Sequence, residues 1–221
     1  MKSPFEAFLR SEELDDTLKL HGQITKLNEE EERTALAVLE SWSDKQAVSN
    51  LLFYPTLIPA ANRERFFIKG LSDLKNPYIV LAAVVGVVCL AEQTVADDTR
   101  SEIKRRLLSI CKEYGDAVGE RASVSLRPFL EKKDLLAVLP LLSGRNNIIR
   151  QNTVTWIVRT WDKLTQEKMS EEFGAAGLSW FQRRRVLKAV HEFVQQRPQI
   201  HLAFRTAPLL AYIPNLKDVE Q

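Results

Sequence analysis

The sequence predicts an all-α fold built from repeated helical pairs, and three observations carry that prediction. Helix start signals recur at short intervals along the 221 residues. No alternating run flanks an Asn-Gly or Asp-Gly turn, the strongest short-range hairpin signal. The chain also matches itself without a gap at an offset of 71 residues, the mark of a repeat architecture. With 45% hydrophobic residues the chain has enough apolar side chain for a substantial core.

The elements follow in order. Ser3-Pro4 with Glu6, Ser43 with Gln46, and Thr99 with Glu102 have capping-box spacing, in which the cap and the residue three positions on satisfy each other's backbone donors. "NEEEERTALAVLESW" opens with Asn28 as a cap. It then sets four glutamates in the first turn, where the helix dipole favours negative charge, and carries Leu36, Leu39 and Trp42 at helical spacing. Gly115, Gly144 and Gly174 sit near predicted helix ends. About ten helices and no sheet result.

The most apolar passage, "NPYIVLAAVVGVVCLAEQ" (76–93), sets three readings against each other. Its uninterrupted apolar run is 14 residues, and a membrane-spanning helix needs roughly 20. Its β-branched residues suit a buried strand, but such strands rarely exceed about 8 residues. Asn76 as cap and Pro77 at the first helical position favour a helix, one buried on nearly all sides.

The self-match pairs residues 70–90 with residues 141–161. Leu71 falls on Leu142, Ser72 on Ser143, Asn76 on Asn147, Ala83 on Val154, Val87 on Val158, and Leu90 on Trp161. An offset of 71 is twice a period of about 35, and residues 107–130 loosely fill the intermediate place, with Ala122, Val124 and Leu126 on a second helix. The stretch "VLPLLSGRNNIIRQNTVTWIVRTWDKL" resembles a HEAT unit. It has an apolar first helix ending in Leu-Leu, a short polar turn, an apolar-Arg step at Ile149-Arg150, and small or apolar residues at Thr153, Val154 and Ile157. The earlier copy departs from the pattern, with Ile79 where that Arg would stand. The resemblance to the HEAT and armadillo class covers about a quarter of the chain. It implies a right-handed α-solenoid of about five degenerate helical pairs and a habit of binding partners rather than a reaction. On that reading residues 1–214 form one domain, with acidic capping helices over 1–42, basic repeats over 145–196, and a flexible tail over 215–221.

Charge and chemistry narrow the function classes. The net charge of +2 implies no polyanionic partner by itself, but it is unevenly spread. Residues 1–42 carry ten acidic and five basic side chains; residues 145–188 carry nine basic and four acidic. Two cysteines, Cys89 and Cys111, make no disulfide framework and point to a reducing, cytoplasmic compartment. The start "MKSPFEAFLRSEELDD" lacks the apolar core of a secretory signal. His21, His191 and His201 stand far apart, and no zinc-protease helix, phosphate-cradling loop or nucleophile elbow is present. No catalytic residue, metal or cofactor is expected, and neither a membrane nor a small-molecule partner. The clusters Lys104 to Arg106 and Arg183 to Arg185 read as solvent-facing charge.

The expected function is a non-catalytic interaction scaffold. In the helix from Asn147, the residues Val154, Ile157, Val158 and Trp161 form a core stripe and leave Asn152, Trp156, Arg159 and Lys163 on the opposite side. In "WFQRRRVLKAVHEFVQQ" (180–196), Arg184 and Lys188 stand one turn apart, away from Val186, Val190 and Phe193. These six polar and aromatic residues are expected to form one basic groove centred on Trp156, for an acidic protein segment first and nucleic acid second. The resemblance adds a third class, because some HEAT-like solenoids are DNA glycosylases that use Trp and Asp near the lesion. Trp161 and Asp162 are the matching types here, but Trp161 lies on the apolar stripe.

Overall fold

The computed structural model describes residues 3–161 and 172–195, and all regular secondary structure among them is helical. The all-α prediction therefore stands for the described residues. The backbone divides into two compact units, Met1–Phe129 and Leu130–Gln221.

The first unit holds α1 (Pro4–Leu9), α2 (Leu14–Gln23), α3 (Glu29–Ser41), α4 (Lys45–Phe53), α5 (Ala60–Ser72), α6 (Pro77–Gly86), α7 (Asp97–Glu113) and α8 (Ala117–Ser125). Helix α4 packs on α6 and α6 on α8, while α5 packs on α7; α5 also meets α6, and α7 meets α8. Alternate helices thus lie side by side in two layers. Helix α6 is flanked by α4, α5 and α8, and this explains an apolar sequence with no polar face. Ile79, Val80, Ala82, Ala83, Val84 and Val87 are all buried, as the sequence predicts, whereas Tyr78 is 82% exposed.

The close approach of these helices depends on two glycines. A Cβ on Gly86 would stand 2.0 Å from the Leu52 carbonyl oxygen and 2.6 Å from the Phe67 ring. One on Gly70 would stand 2.8 Å from the Ala83 Cβ and 2.9 Å from Leu52 Cδ1. Beyond Gly86 the α-helix tightens to a 3₁₀ turn over Val87–Leu90, so the apolar run is not α-helical to its end.

The caps divide between agreement and correction. Ser3 Oγ accepts from the Glu6 N–H, and Asn28 forms a full capping box with Glu31. The cap of α4 is Asp44 rather than Ser43; its carboxylate takes the Ala47 N–H, and Gln46 reaches the Ser11 carbonyl and Asn50 instead. Helix α7 starts two residues before Thr99, whose hydroxyl donates to Glu64. Pro77 is at the first position of α6, but the Asn76 amide donates to Asp73 at 2.6 Å and makes no cap bond. Trp42, expected on the apolar stripe of α3, ends that helix in the left-handed region at φ 56°. Its indole N–H donates to Asp73 at 2.9 Å, and Lys69 lies 4.2 Å over the ring while donating to the Leu39 carbonyl. These contacts hold a conformation that ordinarily favours glycine. Burial pushes the Asp73 carboxyl up, but the Trp42, Asn76 and Lys45 donors outweigh it and leave it below its ordinary value. In the loosely matched third copy Ala122 and Leu126 are buried, but Val124 is exposed.

The second unit holds α9 (Leu135–Val138), a 3₁₀ turn over Leu139–Ser143, α10 (Asn147–Trp161), a helical turn at 172–175, and α11 (Trp180–Gln195). Helix α10 packs on the 3₁₀ turn and on α11. Leu71 and Leu142, the first matched pair of the repeat, are both buried, but Leu71 ends a helix of 13 residues and Leu142 lies in the 3₁₀ turn. No helix among the described residues is long and apolar enough to cross a membrane.

Candidate interaction surface

Helix α10 buries Val154, Ile157, Val158 and Trp161, the stripe the sequence predicts. It also buries Ile149, Thr153 and Trp156 on a second side. Trp156 is 6% exposed, and its ring meets that of Trp161 edge-on at 5.6 Å. The expectation of an outward Trp156 is corrected. A helix covered on two sides keeps only a narrow outer strip, where Arg159 is exposed and Asn152 half-buried. Lys163 and Asp162 lie outside the described residues, as do His201 and the tail 215–221. Trp161 is in the core as expected, its indole N–H donating to Glu172 at 2.9 Å, which removes it as a lesion-contacting residue.

Helix α11 begins after Gly177, a glycine at φ 75° where any other residue would be strained. Its start is a reciprocal cap: the Gln182 N–H donates to Ser179 Oγ at 3.3 Å, and the Ser179 N–H to Gln182 Oε1 at 2.7 Å. Val186 and Val190 turn inward. At 100° per residue, Trp180, Phe181, Arg184, Arg185 and Lys188 fall on the opposite side. All five are exposed, Trp180 at 59% and Phe181 at 77%.

The two rings meet edge-on at 5.0 Å, and the Arg184 guanidinium lies 5.2 Å from the Trp180 ring. Arg184 and Lys188 therefore do share a face with aromatic side chains, but with Trp180 and Phe181 in place of Trp156. The signal was available, since Ser179 with Gln182 has capping-box spacing and fixes the phase of the helix. The other basic cluster is differently placed. Arg105 and Arg106 both bond Glu102 at 2.7 Å, and these contacts hold its carboxyl at about 2, well below the usual range.

Elsewhere the chemistry is quiet. Burial pushes the Cys111 thiol up to about 12, so it carries no thiolate at neutral pH. Burial raises Cys89 too, against the opposing charge of Arg63. His21 stacks on Tyr54 at 4.2 Å and shares a hydrogen bond with Thr56. Among the described residues no group of three His, Cys, Asp or Glu side chains is placed to hold a metal ion. Comparison with known protein families, with curated proteins and with solved structures finds no match.

Proposed function

We propose that this chain is a non-catalytic interaction scaffold of stacked helical pairs, a HEAT-like α-solenoid, which binds an acidic protein segment along α11. The observation that carries the reading is the exposed Trp180–Phe181 pair with Arg184 stacked on it. Large aromatic rings are seldom left in water without use, and Trp and Arg are the residues enriched at binding hot spots. Arg184, Arg185 and Lys188 on the same face select carboxylates. The side-by-side packing of α4, α6 and α8 over α5 and α7 supports the solenoid reading. The free thiols Cys89 and Cys111 support a reducing, cytoplasmic site of action.

A second reading, nucleic-acid binding, is favoured by the same aromatic pair, because bases stack on exposed rings beside Arg. The test measures binding of fluorescent acidic peptides that carry one Leu or Phe, alongside generic duplex DNA and RNA. The double substitution Trp180→Ala/Phe181→Ala is expected to weaken peptide binding by at least about tenfold, a hot-spot loss of more than ~1.4 kcal/mol, with melting unchanged. Arg184→Glu is expected to act likewise. Binding of nucleic acid alone, with a steep salt dependence, favours the second reading. Binding of neither class overturns both.

A further inference from the structure

The second unit contains a cleft of about 360 Å³ between the 3₁₀ turn, the first two turns of α10 and the later turns of α11. Its apolar lining is Leu142, Val154 and Ala189. One wall is rich in donors. Arg150 Nη1 donates to the Gly144 carbonyl at 3.0 Å and Nη2 to Asn147 Oδ1 at 3.2 Å, so the guanidinium is held in place from one side. A guanidinium has five N–H groups, so three remain. The Asn147 amide nitrogen adds two more donors beside them, since its oxygen is the atom engaged by Arg150. This wall also lies in the first turn of a helix of 15 residues, whose dipole favours an anion, while the Ile148 and Ile149 N–H groups there are taken by Asn146 Oδ1. From α11 the cleft is also lined by Glu192, an acceptor that pairs with Lys188 at 4.0 Å.

Donors from α10, a carboxylate from α11 and apolar side chains lining the same cleft describe a ligand with three parts. It has an anion for Arg150 and Asn147, an N–H or ammonium for Glu192, and an aliphatic body for Leu142 and Val154. The geometry points to a site for an α-carboxylate carrying a neighbouring N–H group and an aliphatic side chain. That chemistry belongs to the C-terminal residue of a peptide and to a free amino acid. The volume, at the small end for ligand pockets, suits one such residue rather than a long ligand. The site adjoins the face of α11 that carries Arg185 and Lys188, since Glu192 lies on that side of the helix and pairs with Lys188.

The test is calorimetric titration of the full chain with leucine, N-acetyl-leucine and N-acetyl-leucinamide. The two carboxylates are expected to bind and the amide to bind at least about tenfold more weakly, the loss expected when a charge-assisted pair goes unmade. Arg150→Gln is expected to lower affinity for both carboxylates by at least tenfold, and Asn147→Ala by less. Arg150→Lys keeps the charge without the fork and serves where Arg150→Gln fails to fold; it too is expected to weaken both. A preference for leucine over N-acetyl-leucine that disappears in Glu192→Gln assigns the site to free amino acids. Equal or tighter binding of N-acetyl-leucine assigns it to a peptide terminus. The inference is overturned if none of the three compounds gives a binding isotherm. It is also overturned if the amide binds as tightly as the acids, or if the folded Arg150 variants bind both acids unchanged.

Discussion

At Gly86 the absence of one carbon sets the distance between two helices. Alanine there would drive its Cβ onto the Leu52 carbonyl oxygen at 2.0 Å, and a backbone atom of a packed helix cannot turn aside as a flexible side chain can. Gly86→Ala is expected to destabilise by about 3 kcal/mol or more, the upper range of overpacking, read as a lowered melting temperature. Gly22 is the internal comparison, since nothing lies within 4 Å of its built Cβ. Gly22→Ala, within α2, is expected to be neutral or to stabilise by up to about 1 kcal/mol through helix propensity alone. His21 gives a second test at this scale. Burial against Tyr54 lowers its pKa below the ordinary 6.5, so the folded state binds the proton more weakly than the unfolded chain does. Its contribution is complete above about pH 6.5 and is lost as pH falls below it. Melting temperature is therefore expected to drop between pH 7.5 and pH 5.5, with a smaller drop in His21→Gln; equal drops in the two proteins would remove His21 as the cause.

Among the elements, α6 and α10 separate what a sequence reveals from what it withholds. For α6 the evidence is intrinsic: the 14-residue apolar run that spans it and the following 3₁₀ turn leaves no polar face, so most of the helix must be buried, although Tyr78 at its start is exposed. Val87→Asp places an unpaired charge in the core and is expected to unfold or aggregate the protein, while Lys75→Asp, on an exposed position, is expected to be mild. For α10 the sequence shows one apolar stripe and says nothing of a second neighbour, so Trp156 read as outward although it is buried, as Ile149 and Thr153 are. Trp156→Ala is accordingly expected to cost about 3 to 5 kcal/mol in chemical denaturation, the loss for a buried aromatic rather than for a surface contact. Caps were legible where one candidate stood alone, as at Asn28, and misplaced where two capping residues are adjacent, as at Ser43 and Asp44. The α11 surface was half legible. Arg184 and Lys188 follow from helical phase, and the same phase places Trp180 and Phe181 beside them, whereas Trp156, expected to face outward, is buried.

For the whole molecule, the division after Phe129 is the feature with the widest consequence. The last turn before it belongs to the first unit: Arg100 donates to the Pro128 carbonyl at 2.8 Å, its guanidinium lies 5.5 Å from the Phe129 ring, and Phe129 itself is fully buried. A chain ending at Phe129 therefore keeps the layer of α4, α6 and α8, the layer of α5 and α7, and the aromatic contact that closes α7 against the final turn. A segment of about 130 residues with its own core is in the range where single domains fold cooperatively. Residues 1–129 expressed alone are expected to give a helical circular dichroism spectrum and a single sharp thermal transition. Phe129→Ala in that fragment is expected to lower the midpoint, because the ring removed is buried within the fragment's own packing. A non-cooperative melt would show that the first unit draws on residues beyond 129 for its stability, and the division would then describe contact density without marking a folding unit.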